Sequence, residues 1–158
     1  MVSAMRGARA ILAALALAAC TSDVALAPRG LDDAAKRFDP PPPGLAALYV
    51  VREGTFVSTP VALLVDRRRI GPLGYDTYFR VELPPGDHAV RVHDLDSGQQ
   101  LAVTNVQLAV GDIRFVSVGN AAMDSPLTNP LTQMSARELP GTQGRAAVAG
   151  KRLVASGQ

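Results

Sequence analysis

The chain has 158 residues, with 16 Lys and Arg, 14 Asp and Glu and a single Cys, and this length suffices for one domain with its own core. Two of the basic residues, Arg6 and Arg9, lie in a segment that we predict to be removed, so the mature chain carries 14 basic and 14 acidic side chains. This balance gives no reason to expect nucleic acid as a partner, and a single cysteine excludes an intrachain disulfide.

Residues 1–19 are predicted to form a signal peptide. Two arginines precede the apolar run of residues 11–19, which is much shorter than the roughly 20 residues needed to span a bilayer. The run ends in L-A-A-C at residues 17–20, which resembles the lipobox of bacterial lipoproteins. The resemblance implies that Cys20 is diacylated and becomes the new N-terminus. Because Thr21 rather than aspartate follows, it also implies an outer-membrane location facing the periplasm.

Ordinary secretion is the competing interpretation. Cleavage after Ala27, at the A-x-A-like residues 25–27, would leave Pro28 as the mature N-terminus. It would also leave the hydrophilic residues 21–23 inside the signal peptide and Cys20 without a role. Lipid attachment at Cys20 is therefore the preferred prediction.

Residues 20–44 are predicted to be an acylated N-terminus followed by a Pro-rich tether. Four consecutive prolines at residues 40–43 favour an extended polyproline II conformation, which would hold the following domain away from the membrane. Oppositely charged pairs at i, i+4 spacing predict one or two helical turns over residues 31–38. These pairs are Asp32 with Lys36 and Asp33 with Arg37.

Residues 45–120 are predicted to form one all-β domain, a single antiparallel β-sandwich of about seven strands. Segments rich in β-branched and aromatic residues alternate with turn residues, and no long helical pattern interrupts them. The predicted strands are residues 46–53, 61–66, 69–73, 76–83, 88–95, 100–108 and 112–118.

The strands at 76–83 and 88–95 are predicted to pair as a central hairpin, with a type II turn over the Pro-Pro-Gly-Asp sequence of residues 84–87. The last two strands are predicted to form another hairpin around Gly111. Alternation along the central hairpin predicts that Phe79, Val81, Leu83, Val90 and Val92 form one side of the core. Their expected partners are Leu48, Val50, Leu63, Val65, Ile113 and Phe115.

The last part of the chain is predicted to be less regular. Two prolines make residues 121–133 a predicted loop, because proline interrupts strand pairing. Residues 134–139 are a candidate edge strand. Residues 144–155 are predicted to form a short C-terminal helix, which its glycines weaken.

Five short segments carry a family resemblance: ALYVVR at 47–52, VD at 65–66, IGPL at 70–73, YFRV at 78–81 and PGDH at 85–88. They are similar to a widespread family of small bacterial lipoproteins with a domain of unknown function related to PEGA-type β-sandwiches. The resemblance covers about residues 45–120. It implies a compact sandwich of the immunoglobulin or transthyretin kind and no established activity. Arg67 stands where such domains usually have glycine, which predicts a different geometry for the turn at Asp66.

Arg67, Arg68 and Arg69 form the densest charge cluster of the mature chain, in a predicted hairpin turn between Asp66 and Ile70. Guanidinium groups bind phosphates and carboxylates, so this cluster is a candidate contact for a phosphate-bearing envelope glycolipid or an acidic partner. A turn that is merely solvated is the alternative interpretation.

Tyr49, Tyr75 and Tyr78 are candidates for an outward aromatic patch that contacts a ligand or glycan. The alternative interpretation is that they cover a small core or stabilise cross-strand pairs.

Catalytic and metal-binding patterns are weak in this sequence. His88 and His93 are five residues apart and fall on opposite faces of one strand, so neither a metal site nor a cofactor is predicted. His88 is predicted to be structural and to hydrogen-bond the adjacent loop. A hydrolase triad would have to combine one of these histidines with Ser97 or Ser117, without a nucleophile elbow to support it.

Two functions from different classes follow. The preferred one is a non-enzymatic cell-envelope lipoprotein that is held by its lipid anchor and presents a sandwich for binding a protein or glycan partner. The alternative is a cell-wall-directed hydrolase or another envelope enzyme, which would need titratable groups converging in a pocket.

Overall fold

The computed structural model describes residues 24–54, 59–120 and 134–155. The predicted signal peptide, the lipid attachment site Cys20 and the predicted loop at 121–133 lie outside these residues. Within them the chain is all-β, as predicted: its strands form two sheets, and there are two short helices. The strands are β1 (Ala46–Arg52), β2 (Val61–Val65), β3 (Arg68–Leu73), β4 (Thr77–Leu83), β5 (Gly86–Asp94), β6 (Gln100–Leu108), β7 (Ile113–Asn120), β8 (Met134–Leu139) and β9 (Arg152–Leu153), and the helices are α1 (Arg29–Ala35) and α2 (Gly141–Ala149).

The two sheets mix parallel and antiparallel pairs. The larger sheet has the strand order β8-β7-β1-β4-β9, and the smaller sheet has the order β3-β2-β5-β6. β1 pairs with β7 in parallel, and β4 pairs with β9 in parallel, whereas the other pairs are antiparallel. The prediction of a purely antiparallel arrangement is therefore wrong. Both β7 and β9 join neighbours that are distant in sequence, so no hairpin sets their direction.

The seven predicted strands are present within two residues of their predicted bounds, and β8 confirms the predicted edge strand. The predicted central hairpin is wrong, because β4 pairs with β1 and β9 while β5 pairs with β2 and β6. Residues 84–85 instead carry the chain from one sheet to the other. They are two prolines without N–H groups, so they cannot extend a strand ladder, and Gly86 follows with φ 136°. β6 and β7 likewise lie in different sheets, so the predicted hairpin around Gly111 is also wrong.

The main core lies between the two sheets. Phe79, Val81 and Leu83 face it from β4, and Val90 and Val92 face it from β5, so the predicted set meets from both sheets rather than forming one side. Four predicted partners join this core: Leu48, Val50, Leu63 and Val65.

Two predicted core partners, Ile113 and Phe115, lie instead on the outer face of the larger sheet. Val116 and Val118 are the β7 residues that face the main core. The predicted phase of β7 is therefore wrong by one residue, which exchanges its two faces.

A second apolar layer covers the outer face of the larger sheet. α1 and α2 pack there over a cluster of Ala35, Ala47, Tyr49, Val51, Tyr78, Phe115, Leu139 and Val148. Gly144 allows α2 to approach closely, because a Cβ at this position would overlap the ring of Phe115. The centre of the larger sheet is thus covered on both faces, which explains why every residue of β1 is buried.

The C-terminal helix differs from its prediction. α2 begins at Gly141, three residues before the predicted start, and ends before Gly150. The segment that follows forms β9, whose two residues pair with Thr77 and Tyr78. Edge pairing with β4 therefore replaces the second half of the predicted helix.

Much of the predicted tether belongs to the folded body. The N–H of Ala27 donates to the carbonyl of Leu153 at 2.9 Å, and the carbonyl of Ala25 accepts from the N–H of Ala155 at 2.9 Å. α1 confirms the predicted helical turns, although it begins at Arg29. The segment that begins at residue 24 and leads into α1 is therefore fixed to the edge of the larger sheet.

Candidate functional site

The arginine turn, defined as Arg67, Arg68 and Arg69, lies at one end of the smaller sheet. β2 and β3 form the predicted hairpin, in which Val65 pairs with Arg68. Asp66 takes φ 56° in the turn, a left-handed conformation that Asp tolerates better than most residues. All three arginines are exposed, and β3 is an edge strand. Within the described residues, none of the three arginines forms an ion pair.

The turn is braced by His88 and Asp66. The Asp66 carboxylate contacts His88 Nδ1 at 3.0 Å and accepts from the N–H of Ala89 at 3.0 Å. His88 Nε2 lies 2.9 Å from the carbonyl oxygen of Pro84. Both partners of the imidazole ring are acceptors, so the ring satisfies both only as the doubly protonated imidazolium. This arrangement confirms the predicted structural role of His88.

The pKa values of this pair follow from the geometry. Burial of His88 opposes its protonation, but the hydrogen bonds to Asp66 and Pro84 and the negative charge of Asp66 together outweigh burial and raise the pKa of His88 above its usual range. The hydrogen bond from His88 in turn lowers the pKa of Asp66. Arg91 adds a donor to the backbone carbonyl of Asp66 at 2.5 Å. The turn is therefore held on three sides, and the arginines project from a fixed base.

The predicted aromatic patch does not form. Tyr49 and Tyr78 are fully buried, and their rings stack with centroids 6.1 Å apart. The hydroxyl of Tyr49 donates to the carbonyl of Ala35 at 2.7 Å, so α1 covers the ring that was predicted to face outward. Tyr75 is half-buried just before β4. The alternative interpretation, that the tyrosines cover a core, is therefore confirmed for Tyr49 and Tyr78.

Asp32, which was predicted only as the helical partner of Lys36, is a buried carboxylate. Its side chain is 5% exposed, and it accepts from the Tyr78 hydroxyl at 2.8 Å and from the N–H of Leu153 at 3.0 Å. Lys36 Nζ lies 3.0 Å away, which confirms the predicted i, i+4 pair, and Arg152 Nε lies 3.1 Å away. Burial raises the pKa of Asp32, but the hydrogen bonds from Tyr78, Lys36 and Leu153 outweigh it and lower the pKa overall. Asp32 therefore joins α1, β4 and β9 as a charged group.

The second predicted pair in α1 does not form. Arg37 Nε binds Asp39 at 3.0 Å, and both side chains are exposed. Asp33, the predicted partner of Arg37, is exposed in α1, whereas Arg37 lies beyond the end of this helix. Such surface pairs contribute little to stability, so only the Asp32 pair is structurally important.

A cleft of about 460 Å³ lies between α1 and the segment after β9. Its walls are mainly apolar, with Arg37, Asp39 and Arg80 as polar groups. Arg80 is already engaged, because it donates to Glu82 at 2.6 Å and to the hydroxyl of Tyr49 at 3.1 Å. The cleft joins the two ends of the domain sequence, so no local sequence pattern indicated it.

The histidines and serines of the hydrolase alternative are placed apart. Both ring nitrogens of His88 are engaged as described, and His93 follows the inward-facing Val92, so it lies on the outer face of the smaller sheet. The Ser97 hydroxyl donates to a carboxylate of its own turn at 2.7 Å. The Ser117 hydroxyl donates to Glu53 on the outer face of the larger sheet. None of the pairs that the sequence left open is formed.

No group of three or more His, Cys, Asp or Glu side chains in the described ranges could hold a metal ion. None of the helices in the described part of the chain is long and apolar enough to cross a membrane.

The arginine turn and the cleft beside α1 are thus the two candidate binding surfaces. Comparison of the chain with models of known protein families and with curated proteins finds no match. The resemblance to PEGA-type lipoproteins therefore stays a prediction.

Proposed function

We propose that this chain is a non-enzymatic cell-envelope lipoprotein that binds a protein or glycan partner. Its anchor is a lipid on Cys20, in the outer membrane facing the periplasm, and its domain is a β-sandwich of the immunoglobulin or transthyretin kind. The observation that carries the proposal is the braced arginine turn, in which three exposed guanidinium groups project from a fixed base.

The chemistry of the arginine turn suits an acidic or phosphate-bearing partner. Arginine presents planar donors that match carboxylate and phosphate oxygens, and little conformational freedom is lost when the supporting backbone is already held. β3 is also an edge strand, whose unpaired backbone groups are able to add an extended segment of a partner. The turn and the strand edge together form one continuous binding surface.

The fold supports this proposal through its two facing sheets and their shared core. The parallel pairs of β1 with β7 and β4 with β9 distinguish it from a purely antiparallel sandwich. The cell-wall hydrolase is the less favoured function, because the histidines and serines that would serve it hold turns and strands instead.

The anchor is tested by mass spectrometry of the mature protein and by membrane fractionation. The mature N-terminus should be an acylated Cys20, and Cys20→Ser should release the protein from the membrane fraction. A mature N-terminus at Pro28, or membrane association that survives Cys20→Ser, would contradict the lipoprotein proposal.

The binding surface is tested by cross-linking in intact cells and quantifying the recovered partners. Replacing Arg67, Arg68 and Arg69 together by serine should leave the melting temperature nearly unchanged, since exposed charges usually matter by less than about 0.5 kcal/mol. Partner recovery should fall, and added salt should weaken the parent's binding in the same direction by screening. A control variant, Arg137→Ser with Arg145→Ser, removes exposed arginines elsewhere and should retain the partner. Equal recovery from parent and triple variant at low and high salt would remove this surface from consideration.

A further inference from the structure

The folded body begins four residues after the predicted lipid attachment site. Val24 is 5% exposed and belongs to the main core, and the carbonyl of Ala25 accepts a hydrogen bond from Ala155. Only residues 21–23 separate Cys20 from this fixed point. The distance between anchor and domain is therefore limited by the length of a very short segment.

That distance keeps this end of the domain close to the bilayer. An extended chain spans at most about 3.6 Å per residue, so four residues reach roughly 14 Å. The headgroup layer of one leaflet is about 5–7 Å thick, and the chain must first cross this thickness. What remains is less than the roughly 10–12 Å diameter of a single helix. The part of the domain next to residue 24 is therefore held within roughly 9 Å of the lipid surface, which leaves no room for another layer of protein between them.

The side chains of this part of the domain suit a lipid surface. Leu26 is 41% exposed and Leu31 is 58% exposed, although both are large apolar residues. Pro28 and Arg29 are exposed between them. We call these four residues the anchor face. Leucines that enter the acyl boundary beside an arginine that meets headgroup phosphates are typical of peripheral membrane contacts.

We propose that the anchor face lies against the bilayer, so that the α1 side of the domain faces lipid and the outer face of the smaller sheet faces the aqueous phase. This inference rests on the proposed lipidation of Cys20. The layers of the fold support the orientation, because α1 packs on the larger sheet, and the larger sheet separates α1 from the smaller one. The arginine turn, which belongs to the smaller sheet, is then presented away from the membrane.

Nitroxide accessibility in the complete lipidated protein tests this orientation. Cys20 is the single cysteine of the chain and is blocked by its lipid, so a cysteine introduced elsewhere is the only thiol to label. Leu26→Cys and Leu31→Cys place a nitroxide on the anchor face. Val103→Cys is the matched control, because Val103 is 48% exposed and lies on β6 in the smaller sheet. Each protein is reconstituted in vesicles of phosphatidylethanolamine and phosphatidylglycerol.

The measured quantity is the ratio of collisions with oxygen, which enters the bilayer, to collisions with a water-soluble nickel chelate. This ratio should be severalfold higher for the anchor-face labels than for the Val103 label. Equal ratios in protein whose mass shows acyl chains on Cys20 would overturn the orientation alone. A mature protein without acyl chains would overturn the lipoprotein proposal, and this orientation with it.

Discussion

Replacing Asp32 by alanine should destabilise the domain strongly, although Asp32 lies in a helix of only seven residues. The change removes the acceptor of the Tyr78 hydroxyl at 2.8 Å and of the Leu153 N–H at 3.0 Å. Hydrogen bonds to a charged group contribute about 1.5–3 kcal/mol each, and breaking a buried charged pair costs about 3–5 kcal/mol. Burying the carboxylate itself costs free energy, which offsets part of this loss. We therefore expect a decrease of about 3–5 kcal/mol in the free energy of unfolding.

Thermal and urea unfolding of the parent, Asp32→Ala and Asp33→Ala measure this effect. Asp33→Ala is the control, because Asp33 is exposed on the same helix and its loss should cost less than about 0.5 kcal/mol. The pKa of Asp32 is lowered in the folded state, so its contribution is present above about pH 3.9 and is lost as the pH falls through the lowered pKa. The parent and Asp32→Ala should therefore converge in acid. Equal stability of the two alanine variants at neutral pH would refute the reasoning.

Three further predictions concern other parts of the fold. Because the pKa of His88 is raised, the stability that its pair with Asp66 contributes is fully present below about pH 6.5 and is lost as the pH rises through that raised pKa. Urea unfolding of the parent and of His88→Gln between pH 5 and pH 9 should show this loss of stability in the parent alone. Gly144→Ala should lower the melting temperature because its Cβ meets the ring of Phe115. Gly141→Ala is the control, since its Cβ meets open space, and it should raise the free energy of unfolding by up to about 1 kcal/mol. Equal melting temperatures of the two variants would contradict the close approach of α2. Phe79→Ala should cost about 3–5 kcal/mol in urea unfolding, since its side chain is fully buried, and an unchanged melting temperature would mean that β4 faces the other way.

The positions of the strands were predictable because they depend on local patterns. Alternation alone placed Phe79, Val81 and Leu83 in the core, and the strand bounds followed from turn residues. Pairing was not predictable in the same way. The Pro-Pro-Gly-Asp sequence at residues 84–87 marks a reversal of the chain, but a reversal within one sheet and a crossing between two sheets share the same turn residues.

The buried tyrosines show why the candidate site was only partly predictable. On β4, Tyr78 alternates with core residues, and a strand with one covered face would expose it. The larger sheet is covered on both faces, and the cover includes α1, whose Asp32 binds Tyr78 from a distance of 46 residues in sequence. Such long-range cover leaves no periodic pattern near the tyrosine. The arginine turn, by contrast, lies in a local hairpin, and its exposure was predicted correctly.

The register of the smaller sheet extends the arginine turn across its outer face. Arg69 pairs with Leu64, Leu64 pairs with Arg91, and Arg91 pairs with Val103, so these four residues form one row across the four strands. Since α1 and α2 both pack on the larger sheet, neither helix of the described residues covers this row. A partner bound along it would meet guanidinium groups beside apolar side chains. We infer that recognition combines ionic contact at the turn with apolar contact further along the row, so high salt should weaken binding without abolishing it.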